Sequence, residues 1–68
     1  MNNREISQFN AVCKVLLKSE DITEVQNTDK SIKVFVNEIG VVIPKTDTVD
    51  TSYKTLTKFL NLIRKRKC

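Results

Sequence analysis

Residues 31–43 read SIKVFVNEIGVVI, and this stretch decides the fold. Its first part, SIKVFV, alternates β-branched side chains with others, so that Ile32, Val34 and Val36 fall on one face. Such alternation is typical of a strand with one buried face. We therefore predict a strand over residues 31–36.

A turn and another strand follow directly. The sequence NEIG at 37–40 predicts a type I turn closed by Gly40, a residue that is free to adopt positive φ. Beyond the turn, VVI at 41–43 predicts a strand that ends at Pro44, because proline lacks the N–H that a sheet ladder requires. The two strands would form an antiparallel hairpin.

Upstream of this hairpin, ITEVQN at 22–27 gives a weaker strand signal, and NTDK at 27–30 has the composition of a turn. A turn at Thr28-Asp29 places Val25 opposite Ile32. The three strands then form an antiparallel meander.

Helical periodicity flanks the predicted sheet on both sides. A helix over about 3–18 begins with Asn2 as N-cap and Glu5 three residues later, the capping-box spacing. A second helix over about 51–66 is capped by Asp50 or Thr51 and runs into a frayed basic tail at 66–68. The apolar positions recur at spacings of three and four: Ile6, Phe9, Val12, Cys13, Leu16 and Leu17 in the first helix, and Tyr53, Leu56, Phe59, Leu60 and Ile63 in the second.

The predicted fold class is therefore α+β, in the order α-β-β-β-α, with a three-stranded antiparallel sheet packed with two helices. The 68 residues are enough for a single small domain spanning 1–68. A chain of this size buries only roughly 60% of the surface of its unfolded state, so we expect marginal stability.

The element order resembles that of the double-stranded RNA-binding domain, in which lysines at the start of the second helix contact phosphates. That family's Lys-Lys-x-Ala-Lys motif is replaced here by DTVDTSYKTLTK at 47–58, and its Gly-Pro-x-His loop by NTDK. The resemblance is one of element order, and it assigns no residue a role.

The net charge of +4 is unevenly distributed along the chain. Residues 51–68 carry six Lys or Arg and no Asp or Glu, for a net +6, whereas residues 1–50 carry six cations and eight acids, for a net −2. A helix with one sign of charge indicates a negatively charged partner.

The candidate residues for binding an anionic partner all lie on the second helix: Lys54, Lys58, Asn61, Arg64, Lys65, Arg66 and Lys67. Cations in a last helical turn are also explained by the helix dipole. Lys54 and Lys58 are not, because they are like charges four residues apart near a predicted helix start, where acids are preferred.

A second candidate surface is the outer face of the sheet. If both helices pack on one face, Ile22, Phe35 and Val42 form an exposed apolar patch for a protein partner or a homodimer. The alternatives are that one helix covers each face, or that the patch is too small to matter. The first and third strands would be edge strands, and either could accept a partner strand.

Enzymatic and metal-binding classes have no support in the sequence. There is no His, Cys13 has no neighbouring base, and the two Cys residues are too far apart to form a zinc site. No apolar run approaches the roughly 20 residues that span a bilayer. We therefore expect no enzymatic activity, cofactor, metal or membrane partner, and a cytoplasmic location.

The resulting hypothesis is a small binding protein whose basic helix docks on nucleic-acid backbone. The alternative is a protein–protein modulator, such as a phage-type inhibitor in the host cytoplasm. Such a modulator would use the basic helix on an acidic protein surface, with the outer sheet face as an apolar anchor.

Overall fold

The computed structural model describes residues 1–66 and has an α+β fold in the order α-β-β-β-α. Its elements are α1 (Asn3–Lys18), β1 (Glu24–Asn27), β2 (Ser31–Val36), β3 (Ile39–Pro44) and α2 (Val49–Arg66). The strands form one antiparallel sheet in the order β1-β2-β3. The predicted fold class is thus confirmed.

α1 begins with the capping box that the sequence predicted. The Asn2 side chain accepts a hydrogen bond from the Glu5 backbone N–H at 2.8 Å, and Oε1 of Glu5 accepts one from the Asn2 N–H at 2.9 Å. Two N–H groups that have no partner inside the helix are satisfied in this way.

α1 ends in a Schellman motif built on a residue with left-handed backbone conformation. Glu20 has φ 66°, its N–H donates to the Leu17 carbonyl at 3.2 Å, and the Asp21 N–H donates to the Leu16 carbonyl at 3.0 Å. The reversal directs Ile22 into the core, where it is 1% exposed. β1 consequently starts at Glu24 instead of residue 22, and the prediction that Ile22 belongs to the outer sheet face is wrong.

The left-handed position of Glu20 costs stability because its Cβ crowds the following carbonyl. We expect Glu20→Gly to raise the free energy of unfolding by about 1 kcal/mol in chemical denaturation, since glycine has no Cβ. Glu20→Ala is the matched control, because it removes the carboxylate but keeps the Cβ. Equal stabilities of the two variants would contradict this account.

The β1–β2 register differs from the prediction by two residues. Val25 faces Val34, and not Ile32, because the turn closes on Thr28 and Ser31. The Thr28 hydroxyl accepts a hydrogen bond from the Ser31 N–H at 3.0 Å and donates to the Ser31 carbonyl at 2.9 Å. A shift of two residues keeps every side chain on its predicted face, since side chains alternate with period two.

The β2–β3 hairpin turns on Asn37 and Glu38, and not on the predicted four residues ending at Gly40. Val36 pairs with Ile39, and Asn37 carries the positive φ of 55°. A two-residue hairpin loop favours a residue that tolerates such a conformation, and asparagine does so. β3 therefore begins two residues earlier than predicted, and Gly40 is part of the strand.

Gly40 is needed for space and not for the turn. It lies opposite Phe35, and a Cβ built on it would be 2.5 Å from Cε1 of the Phe35 ring. The ring therefore lies across the strand over the glycine, on the outer face of the sheet. This arrangement shelters part of the aromatic side chain where no helix covers it.

α2 begins two residues earlier than predicted, at Val49, with Thr48 in the N-cap position in place of Asp50 or Thr51. The Thr51 N–H donates to the Thr48 hydroxyl at 3.2 Å. This start buries Ser52, whose hydroxyl donates to the Thr48 carbonyl at 2.9 Å. The Met1 ammonium donates to the carbonyls of Lys45 and Asp47, each at 2.7 Å, and so fixes the loop before the helix.

Both helices pack on the same face of the sheet. Phe9 and Cys13 of α1 and Leu56, Phe59 and Ile63 of α2 share one core with the inward-facing strand residues Ile32, Val34, Val36 and Ile43. The Phe9 and Tyr53 rings join the helices directly, with centroids 5.1 Å apart. Within residues 1–66, no helix covers the opposite face of the sheet.

The contact between Phe35 and Gly40 predicts that the effect of Gly40→Ala on stability changes sign when the Phe35 ring is removed. Gly40→Ala should destabilise the parent by about 1 kcal/mol, because the Phe35 ring must move off the strand. In a Phe35→Ala background the same change should stabilise by about 0.5 kcal/mol, since alanine restricts the unfolded chain. Urea denaturation of the four proteins measures the coupling, and equal effects in both backgrounds would refute the steric explanation.

Candidate anion-binding helix and open sheet face

The exposed side of α2 carries a row of cationic and polar residues that we call the lysine ridge: Lys54, Lys58, Asn61 and Lys65. At about 100° per residue, these four positions fall within about 60° of one another. All four are exposed. With a rise of about 1.5 Å per residue, the ridge extends roughly 16 Å along the helix.

The core holds the ridge in a fixed orientation. Leu56, Phe59 and Ile63 lie on the opposite side of α2, and each is buried against the sheet. Because these anchors determine the rotation of the helix about its axis, the ridge faces away from the sheet. The predicted candidates Lys54, Lys58, Asn61 and Lys65 are therefore brought together on one surface.

The other predicted cations are placed differently. Arg64 and Arg66 are exposed in the last turn of α2 but flank its apolar side. Arg66 lines a shallow cavity of about 270 Å³ with the hairpin residues 36–39 and Ile63, so it lies close to Glu38. Lys67, together with the rest of the predicted frayed tail beyond Arg66, lies outside the described residues.

Asp50 changes the electrostatic argument for Lys54. Because α2 starts at Val49, Asp50 lies in its first turn, where a carboxylate favours the helix dipole, and it precedes Lys54 by four residues. Lys54 therefore lies in the second turn of α2, with an acid four residues before it. Lys54 and Lys58 remain like charges four residues apart.

Leu62 is a ridge neighbour that the periodicity did not reveal. It is 62% exposed and lines a shallow depression with Lys58, Asn61 and Lys65. The available signal was weak, because Leu62 follows Phe59 by three residues but lies about 60° beyond it, at the margin of the buried side of α2. The cationic surface therefore includes an apolar contact point.

The outer sheet face is open but only partly apolar. Val42 is 55% exposed, and Phe35 is half-buried beside Gly40. Ile22 is buried and contributes nothing to this surface. The side chains of Glu24 and Lys33 share the face, since Glu24 pairs with Phe35 and Lys33 with Val42. The predicted patch is thus reduced to Phe35 and Val42.

Cys13 is a free thiol buried in the core. Burial raises the pKa of the Cys13 thiol to about 11, so the thiol stays protonated and weakly nucleophilic at neutral pH. Within residues 1–66, no group of three His, Cys, Asp or Glu side chains could hold a metal ion. Neither described helix is long and apolar enough to cross a membrane.

The placement of Asp50 predicts a salt-dependent loss of stability in Asp50→Asn. The variant loses a carboxylate from the first turn, worth about 0.3–1 kcal/mol at low ionic strength. Thermal unfolding at low and high salt measures the difference, which should shrink as salt screens the charges. Asp29→Asn, at an exposed turn position between β1 and β2, is the charge-matched control. It should not show this salt-dependent loss of stability, because Asp29 is not in a helix. A loss in Asp50→Asn that is the same at both salt concentrations would contradict the electrostatic origin.

Comparison of the chain with protein-family models, with curated proteins and with solved structures gives no match.

Proposed function

We propose that the protein is a non-enzymatic binding protein of the cytoplasm whose α2 docks on the backbone of a nucleic acid. The observation that supports this most is the lysine ridge: three lysines and an asparagine on one exposed helix face, with no Asp or Glu anywhere in residues 51–68. A surface of this kind releases counterions from a polyphosphate when it binds.

The ridge is suited to a row of phosphates more than to a single anion. The helical rise gives the ridge a length of roughly 16 Å. One strand of a duplex carries one phosphate per about 3.4 Å of the duplex axis, so the ridge can extend past several phosphates. Lys54 and Lys58 repel each other in the free protein, and phosphate contacts relieve that repulsion. Asn61, between them and Lys65, can donate to a phosphate or sugar oxygen.

Contacts of this kind carry no sequence information. Lysines bind phosphate as point charges, and base readout needs side chains inserted into a groove. The proposal therefore predicts binding that depends on ionic strength far more than on base sequence. Leu62, which is exposed beside Lys58, would contact a sugar or base surface without selecting among bases.

The number of phosphates contacted can be counted from the salt dependence of binding. The logarithm of the binding constant falls by about 0.9 per phosphate for each unit of log salt concentration on duplex DNA. We expect Lys54→Gln/Lys58→Gln to make this slope shallower by roughly 2. Fluorescence anisotropy with labelled DNA and RNA duplexes, titrated at several salt concentrations, provides the measurement.

The matched control is Lys14→Gln/Lys18→Gln. These lysines are also exposed and four residues apart, but they lie on α1. The control has the same net charge as the ridge variant, so a general effect of net charge would lower the slope equally in both. Equal slopes in the two variants, or no binding by the parent at low salt, would contradict the proposal.

A second candidate function is the modulation of a protein with an acidic surface. The exposure of Leu62 within a cationic surface favours it, because protein interfaces combine an apolar anchor with a charged rim. Affinity capture from nuclease-treated lysate separates the two. A stoichiometric protein that survives the nuclease supports the second function, whereas loss of all bound material supports the first.

A further inference from the structure

Within residues 1–66, β3 is an edge strand, and the backbone groups of Gly40 and Val42 on its outer side have no partner strand. It pairs with β2 on one side, and no strand follows it in the sheet order β1-β2-β3. In the hairpin, Val36 and Ile39 are the closing pair, and hydrogen-bonded pairs then alternate along an antiparallel ladder. The N–H and C=O groups of Gly40 and Val42 therefore point away from β2. The carbonyl of Pro44 does so too, but it already accepts a hydrogen bond from the Asp47 N–H at 3.2 Å.

The side chains around this edge are apolar and exposed. Val42 projects from the outer face of the sheet, and Ile39, at the start of the strand, is also exposed. Tyr53 contacts Phe9 of α1. Leu62 follows Tyr53 by nine residues, or about two and a half helical turns, so Leu62 lies on the opposite flank of α2. α2 packs against β3, and Leu62 lies on the flank of α2 that faces away from α1.

Edge strands of monomeric proteins are usually protected by charge, shortness or a covering segment. β1 follows this rule, because it has only four residues, EVQN, and exposes Glu24, Gln26 and Asn27. β3 has six residues, IGVVIP, without a charged side chain. Among the described residues, pairing is limited at the Pro44 end of the strand. Proline supplies no N–H donor there, and its carbonyl already accepts from the Asp47 N–H.

We propose that β3 is the site of self-association, in which a second copy of this chain adds its own β3 in antiparallel orientation, centred on Val42. The two Val42 residues then exchange N–H···O=C hydrogen bonds. Each Gly40 N–H donates to the second lone pair of the other copy's Pro44 carbonyl, whose first lone pair accepts from the Asp47 N–H. The return bond to the Gly40 carbonyl is missing, because proline has no N–H. The two sheets become one continuous sheet.

Charge and size favour a second copy as the occupant. An identical strand meets the uncharged β3 edge without burying a charge. The two-fold axis passes near Val42, whereas Arg66 lies beside Ile39 at the far end of the strand, so the basic C-terminal turns of the two α2 helices are kept apart. Dimer formation also enlarges the buried surface of a small chain whose single core is limited.

Sedimentation equilibrium without nucleic acid tests this inference, which is independent of the proposed function. The parent should show a concentration-dependent dimer. Val42→Lys places two like charges opposite each other at the axis and should abolish the dimer. Val15→Lys is the matched control, because Val15 is 66% exposed on α1 and adds the same charge far from β3. It should dimerise like the parent, and circular dichroism verifies that both variants are folded.

Amide hydrogen exchange of the parent gives a test that needs no variant. The Gly40 and Val42 amides should be protected at high protein concentration and should exchange faster on dilution. A parent that remains monomeric at high concentration, a Val42→Lys variant that still dimerises, or rapid exchange of both amides at every concentration would each overturn the inference.

Discussion

The alternation along β2 is the constraint on which the rest of the structure depends. Ile32, Val34 and Val36 are all buried, so one face of the sheet must receive both amphipathic helices. A sheet of three strands is narrow, and two helices are sufficient to cover one of its faces. The other face, the outer side of α2 and the β3 edge are consequently the surfaces left for interactions.

Features determined by neighbouring residues could be predicted from the sequence. The Asn2–Glu5 capping box was predictable because both partners lie within one helical turn. The alternation of β2 was equally clear, because only a strand places its β-branched residues on one face. Those local signals account for the bounds of α1 and β2 and for the fold class.

The errors arose where local signals compete or where a distant contact decides. Residues 47–51 contain several good N-cap side chains, and Thr48 prevails because a helix starting there buries Ser52. Gly40 resembles a turn residue in sequence, but its role depends on a ring on the neighbouring strand. Ile22 continued a strand pattern, yet the left-handed Glu20 turned it into the core.

The lysine ridge follows from helical spacing, which alone determines which side chains of α2 share a face. What spacing could not provide was the start of α2, and with it the position of Asp50 one turn before Lys54. Leu62 was missed for a related reason. A residue at the margin of the apolar periodicity can be buried or exposed, and only the packing of α2 shows that Leu62 is exposed.

The packing of Tyr53 on Phe9 places an intrinsic fluorophore at the contact between α1 and α2. Tyr53 is the only tyrosine and there is no tryptophan, so ultraviolet-excited emission reports a single known position. That ring joins the two helices and precedes Lys54 by one residue. Separation of α1 from α2 therefore changes the tyrosine emission directly. A molecule that binds at the Lys54 end of the lysine ridge lies next to the fluorophore, so no attached dye is needed.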